Sequence, residues 1–152
     1  MNWKLVTAGL TLALAAGFTV MAHAQGSPEA LVKQRQAKMT LQVKYLGQLV
    51  AMAQGKVPFN AEIAARDARY LNVLEEMAWD GFAASTKGMK SRALPAIWEE
   101  PDKFKAAQQN LYSAVDALVA ATKTGDEAKI KAAVPAVGKA CGACHDNFRE
   151  KR

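Results

Sequence analysis

The sequence predicts an all-α fold, an antiparallel up-down-up-down four-helix bundle, on three observations. Four segments repeat their apolar residues at helical spacings of three, four or seven. Strand signals are almost absent. The connections between the first and second segments and between the third and fourth are short, which makes those neighbours antiparallel. At 152 residues and 51% hydrophobic, with few glycines or prolines and no tandem repeat, the chain suits one domain with a substantial core.

The first helix starts at Ser27-Pro28-Glu29, with Ser27 as N-cap and Pro28 in the first turn. Val32, Arg35, Met39, Gln42, Leu46, Leu49 and Ala53 share one face, and Gly55 ends the helix. Asn60 caps a second helix that turns Ile63, Tyr70, Leu71, Leu74, Met77 and Ala78 inward and runs to about Phe82. Pro101 opens a third, with Phe104, Ala107, Leu111, Ala114, Leu118 and Ala121 on its inner face, and Gly125 closes it. Asp126 caps the fourth, whose stripe is Ile130, Val137, Cys141, Cys144 and Phe148. Pro135 within it should kink the helix or remove one hydrogen bond.

Residues 1–24 read as a cleaved signal peptide. Asn2-Trp3-Lys4 is a short positive region, Leu5 to Val20 an apolar stretch, and Met21-Ala22-His23-Ala24 a small-residue cleavage pattern. The apolar stretch is short for a membrane span and rich in Ala, Gly and Thr, which favours cleavage over the alternative of a retained anchor. The expected mature domain, 25–152, is therefore periplasmic and free of the membrane. The net charge of +6 is spread over scattered lysines, with no Lys/Arg run and no aromatic interleave, so nucleic acid is not an expected partner. A basic face could steer an acidic redox partner, or the lysines could form an ordinary solvated surface.

Cys141-Gly142-Ala143-Cys144-His145 carries the chemistry. Two thiols two residues apart with a histidine directly after them read as a covalent attachment site for haem c, the thiols forming thioethers and His145 binding the iron. A zinc site needs about four ligands, and the chain has no third cysteine and no second Cys/His pair at metal spacing. A thioredoxin-like pair belongs at a strand-to-helix turn, whereas this pair ends a helical pattern. Cleavage after Ala24 removes His23, which leaves His145 as the one imidazole and excludes a bis-histidine haem within one chain.

In an antiparallel bundle the start of the first helix, the end of the second, the start of the third and the end of the fourth meet at one end. At about 1.5 Å per residue, His145 and the segment from Arg35 to Met39 reach a similar level, with Met77, Trp79, Phe82 and Phe104 nearby. Arg35 and Gln42 interrupt an otherwise apolar face. A buried guanidinium needs an anionic partner, which a haem propionate would provide; the alternative is that Arg35 snorkels to solvent.

The mature sequence resembles the cytochrome c prime family, the class II cytochromes c. The likeness rests on Lys33-Gln34-Arg35-Gln36, on Met52-Ala53-Gln54-Gly55-Lys56-Val57-Pro58-Phe59, on Trp79 with Phe82, on Pro95-Ala96-Ile97-Trp98, and on Cys141 to Arg149. It implies one haem c per chain, a homodimer formed mainly through the first two helices, Arg35 at a propionate and Arg149 beside the proximal haem face. Gln36, Trp79, Phe82 and Phe148 are the further cofactor contacts expected. In the high-spin branch of the family an apolar side chain four residues after the first-helix arginine covers the open haem face, and Met39 stands there. In the low-spin branch a methionine seven residues after it binds iron, and here that position is Gln42. The expectation is thus a five-coordinate, redox-active haem that transfers electrons and binds NO or CO under a Met39 lid. The alternative is a low-spin Met39/His145 electron carrier. A dedicated enzyme is not expected: peroxidase chemistry wants a distal acid-base group, and the first helix offers Gln42 and Lys38 but no histidine or carboxylate at that level.

Overall fold

Five α-helices occur in the computed structural model, which describes residues 26–151: α1 (Pro28–Ala53), α2 (Ala61–Met77), the short α3 (Ala96–Glu99), α4 (Pro101–Thr122) and α5 (Glu127–Phe148). The signal-peptide reading and its cleavage after Ala24 lie outside the described residues. The four long helices are the four apolar segments of the sequence, and each begins where its local chemistry says it should. Ser27 Oγ accepts from the Ala30 amide at 3.2 Å, Asn60 Oδ1 from Ile63 at 2.9 Å, and Asp126 Oδ1 from Lys129 at 3.1 Å. Each bond satisfies an amide that the helix itself leaves without a partner. After α1 the chain turns at Gly55, whose φ of 69° is left-handed and open to glycine at no steric cost.

Around the bundle α1 packs on α2 and α5, and α4 packs on α2 and α5. The central core joins Leu49 and Met52 of α1 to Ala64, Ala68 and Leu71 of α2, Leu111, Val115 and Leu118 of α4, and Ile130, Val134 and Val137 of α5. Burying each of the larger side chains contributes about 1.5–3 kcal/mol. A second cluster, Ile97, Phe104 and Phe148, occupies one end, with Trp79, Phe82 and Trp98 packed against it.

Two expectations are corrected. Tyr70 and Met77 are exposed (44% and 47%), and the buried face of α2 is Ala64, Asp67, Ala68, Leu71 and Glu75, continued by Ala78. Apolar residues lie on two sides of α2, so periodicity alone mixed its core stripe with an outward one. The second helix ends at Met77 rather than near Phe82, because the chain tightens into a 3-10 turn over Trp79–Phe82. As expected of the second alternative, α5 runs as one helix through Pro135, which has no amide hydrogen and so leaves one backbone bond unmade.

The long connection from α2 to α4 builds the end of the bundle. Its 3-10 turns at Trp79–Phe82 and Ala84–Thr86 lie against α1. Its later part pairs with the end of α5 through the antiparallel bridge between Ala93 and Arg149, with Leu94 N to Phe148 O at 3.0 Å and Glu150 N to Arg92 O at 2.9 Å. Among the described residues this bridge is the only extended pairing. The indole of Trp98 donates to Phe82 O at 3.0 Å and holds the two parts of the connection together.

Gly81 is the point of closest approach between this connection and α1. A Cβ there would stand 2.5 Å from Arg35 Cβ and 2.9 Å from Leu31 O, backbone and side-chain stem that cannot swing away. Gly81→Ala is expected to destabilise the protein by about 1–3 kcal/mol, read as a lowered midpoint in urea with the helical content at zero denaturant unchanged.

Candidate functional site

Cys141, Cys144 and His145 sit at positions i, i+3 and i+4 of α5, on one helix face. All three are half-buried and line one cavity of about 670 Å³. The cavity lies between the two apolar clusters. Leu71, Leu111, Val115 and Val137 wall it on the central side, and Ile97, Phe104 and Phe148 on the end side. From α1 it receives Arg35, Gln36, Met39, Thr40, Gln42, Val43 and Leu46.

Burial sets the protonation of the α5 groups. It pushes the Cys144 thiol up to about 11, with Cys141 adding to the rise, and it raises Cys141 as well. The two cysteines are not paired as a disulfide. For His145, burial followed by the cationic Arg149 and Arg92 holds the imidazole below its ordinary value. At neutral pH the ring is therefore uncharged, with a lone pair available to a metal.

Arg35 is 3% exposed, so it does not snorkel to solvent. Its Nη1 donates to Gly81 O at 2.6 Å and Thr86 Oγ1 at 3.3 Å, its Nη2 donates to Ser91 Oγ at 2.8 Å, and its Cζ lies 4.6 Å above the Phe82 ring. These partners are uncharged, and burial draws the guanidinium pKa down. A guanidinium has five N–H donors, so two remain for a ligand of the cavity.

Of the residues expected at the site, Arg35, Gln36, Met39, Trp79, Phe82, Phe148 and Arg149 all line the same cavity as the cysteines and His145. Gln36 is exposed at its edge and Met39 half-buried. Trp79, Phe82, Phe104 and Phe148 form a connected aromatic wall, with centroids 6.1 Å (Trp79 to Phe82), 5.8 Å (Trp79 to Phe104), 5.1 Å (Phe82 to Phe104) and 5.2 Å (Phe104 to Phe148) apart. Met77, placed at this level by the sequence, does not line the cavity, and its carbonyl accepts from Lys38 Nζ.

Several members were not foreseen. Ser91 and Arg92 line the cavity from a connection with no periodicity to read. Glu75 lines it from α2 and is 1% exposed. Its Oε1 accepts from Asn72 Nδ2 at 3.2 Å, while Oε2 has no partner. Burial raises its pKa from 4.5 to about 8, with Asp116 and Glu76 adding to the effect and the Asn72 bond opposing it. A carboxylate interrupting the stripe Leu71, Glu75, Ala78 was legible by the reasoning applied to Arg35.

The donor chemistry fits haem c. The cavity volume lies within the roughly 300–1,000 Å³ of cofactor pockets, its walls are mainly apolar, and three guanidinium groups border it. Among the described residues no three His, Cys, Asp or Glu side chains converge as a bare metal site. An all-α bundle whose last helix presents two thiols and an imidazole to a cofactor-sized cavity defines a helical-bundle c-type cytochrome.

Residues 30–149 match the family model described as Cytochrome C′. The cytochrome c′ of Rubrivivax gelatinosus is 44% identical over 125 residues, spanning 82% of this chain and 97% of that protein. Its crystal structure superposes with a TM-score of 0.77 at 42% identity, over 82% and 98% of the two chains. A nitric oxide complex of a variant of cytochrome c prime from Alcaligenes xylosoxidans reaches a TM-score of 0.78 at 34% identity, covering 83% of this chain and 98% of that one. A carbon monoxide complex of another variant of that protein matches equally well. The chain belongs to the cytochrome c′ family, a standard instance of the up-down-up-down bundle. It carries one haem c per chain and acts as a monohaem electron-transfer cytochrome.

The raised Glu75 pKa fixes a pH dependence of stability. Between about 4.5 and 8 the folded protein keeps a proton that the unfolded chain has released, so stability falls as pH rises through that window. Glu75→Gln, which is neutral at every pH, is expected to exceed the parent in stability by on the order of 3 kcal/mol at alkaline pH and to converge with it in acid. Urea denaturation on both sides of the window checks this.

Proposed function

We propose that this cytochrome is a periplasmic electron carrier with a five-coordinate, high-spin haem that binds NO and CO. We further propose that it works as a homodimer with an as yet unidentified periplasmic redox partner, and not as an enzyme. The observation that carries the reading is the composition of the cavity's α1 wall. Met39 lines it while His145 lines the cavity from α5, and His145 is the only histidine among the described residues.

When bound, haem c supplies one-electron redox chemistry at iron and a coordination position for a diatomic gas. Cys141 and Cys144 would hold it through sulfur, and the neutral imidazole of His145 would bind its iron. The two spare donors of Arg35 suit a propionate, which gives the buried guanidinium the anionic partner it lacks within the chain. Gln36 borders the cavity edge, Trp79, Phe82 and Phe148 give it apolar walls, and Arg149 lies one turn beyond His145. Met39, which lines the cavity from α1, would cover the open face and offers none of the hydrogen-bond donors that favour bound dioxygen. The gas complexes of the Alcaligenes xylosoxidans protein support gas binding here.

Electron carriage is favoured over catalysis because the α1 residues facing the cavity include no histidine or carboxylate. Export is supported by the signal pattern of residues 1–24, and among the described residues no helix is long and apolar enough to cross a membrane. A homodimer through α1 and α2 is supported by Leu41 and Val43 on one helix and Tyr70, Val73 and Met77 on the other, all exposed.

Absorption and electron paramagnetic resonance spectra of the matured protein in both oxidation states, with and without NO, test the haem assignment. A high-spin iron that takes up NO is expected, and Met39→Ala should accelerate gas binding without changing the spin state. A low-spin spectrum that disappears in Met39→Ala would make Met39 the sixth ligand and the protein solely an electron carrier. For the dimer, Leu41→Asp with Val73→Asp, neither of which lines the cavity, should yield a monomer in analytical ultracentrifugation while leaving the haem spectrum intact. An unchanged sedimentation coefficient would refute that interface.

A further inference from the structure

The one carboxylate in the haem cavity is Glu75, and nothing in electron transfer so far uses it. It is fully enclosed on α2, Oε1 is bonded to Asn72 Nδ2, and Oε2 is unsatisfied. An ionised carboxylate in such a place is costly without a counter-charge. Its surroundings supply no bonded one. On its own helix Glu76 disfavours its charge, as does Asp116 on α4. Tyr112, also on α4, is held in its neutral form by burial. On α1, Lys38 is engaged by the Met77 carbonyl, and Arg35 by Gly81, Thr86 and Ser91. From α5, Cys141 is uncharged both as a thiol and as a thioether, His145 is neutral, and Arg149 and the connection's Arg92 border the same cavity.

Asn72 also places Glu75 near the protein surface. The same Nδ2 lies 3.2 Å from Asp116 Oδ1, and Asp116 is exposed, so a single side chain separates the buried carboxylate from solvent.

We propose that Glu75 is the proton acceptor of a proton-coupled electron transfer, taking up one proton from solvent when the haem is reduced and returning it on oxidation. This rests on the haem electron transfer described above. A one-electron donor, the redox partner, converts iron(III) to iron(II), which removes one positive charge from the cavity. The Glu75 carboxylate then binds one proton to become a carboxylic acid, so the cavity's net charge is restored and no other bond is made or broken. Reoxidation reverses both steps. The direction follows from electrostatics: oxidised haem favours the anion and reduced haem the acid.

Spectroelectrochemistry of the holoprotein between about pH 5 and pH 10, with infrared difference spectra, tests the assignment. The parent's reduction potential should fall as pH rises, approaching about 59 mV for each tenfold drop in proton activity. The reduced-minus-oxidised spectrum should gain a protonated-carboxyl band. Glu75→Gln should flatten the slope and lose the band, and Asp116→Asn, which removes a neighbouring negative charge, should move the window to lower pH. A parent potential independent of pH overturns the proposal, and so does a slope and band retained in Glu75→Gln, which would assign the proton to another group such as a propionate. If the Gln variant does not mature, Asp116→Asn decides, and an unmoved window overturns the proposal. A reversible one-electron wave in the parent leaves electron transfer itself intact whatever the slope; only loss of that wave counts against it.

Discussion

The bond from Arg35 Nη1 to Gly81 O, 2.6 Å long and buried, is the contact on which the haem end of the bundle depends. It ties the N-terminal third of α1 to the connection between α2 and α4. That connection pairs in turn with the end of α5 through Ala93 and Arg149. The three segments close a circuit around the cavity, so the thiols and imidazole of α5 face a wall whose position α1 sets. Removing the guanidinium would leave the Gly81 carbonyl with only the longer 3.3 Å contact from Thr86 Oγ1, a loss of about 1–3 kcal/mol. Gly81 itself lets the backbone come close enough for the bond to form.

The cavity combines this rigid frame with an unbalanced set of charges. Arg35, Arg92 and Arg149 border it, Glu75 is its only carboxylate, and burial works against the charged form of each group whose shift is resolved there: Arg35 and His145 are drawn down and Glu75 is pushed up. A haem with anionic propionates matches the guanidinium groups. The same low polarity makes the protonation of Glu75 responsive to the charge on the iron. Packing and electrostatics are therefore linked in one place: the walls that exclude water also make a single charge matter.

What was legible along the chain was local. Ser27, Asn60 and Asp126 cap their helices as read, because a cap needs only its own next three residues. Cys141, Cys144 and His145 share a face because helical spacing requires it. The level of Arg35 and Met39 followed from rise per residue and antiparallel order. Reading α2 failed where apolar residues occupied two sides of one helix, and Tyr70 and Met77 went to the outer side. Glu75 was in principle readable as an acidic break in the stripe Leu71, Glu75, Ala78, but the mixed period hid that stripe.

The sequence by itself determined the helices, the attachment pentapeptide and the end of the bundle at which the cofactor lies, because each depends on spacing within one segment. Only the tertiary structure decided which groups meet Arg35. Gly81, Thr86 and Ser91 lie 46, 51 and 56 residues away, in a connection without periodicity. Tertiary packing also decided what surrounds Glu75, since Asp116 stands near it from α4 and the other walls of the cavity come from α1 and α5.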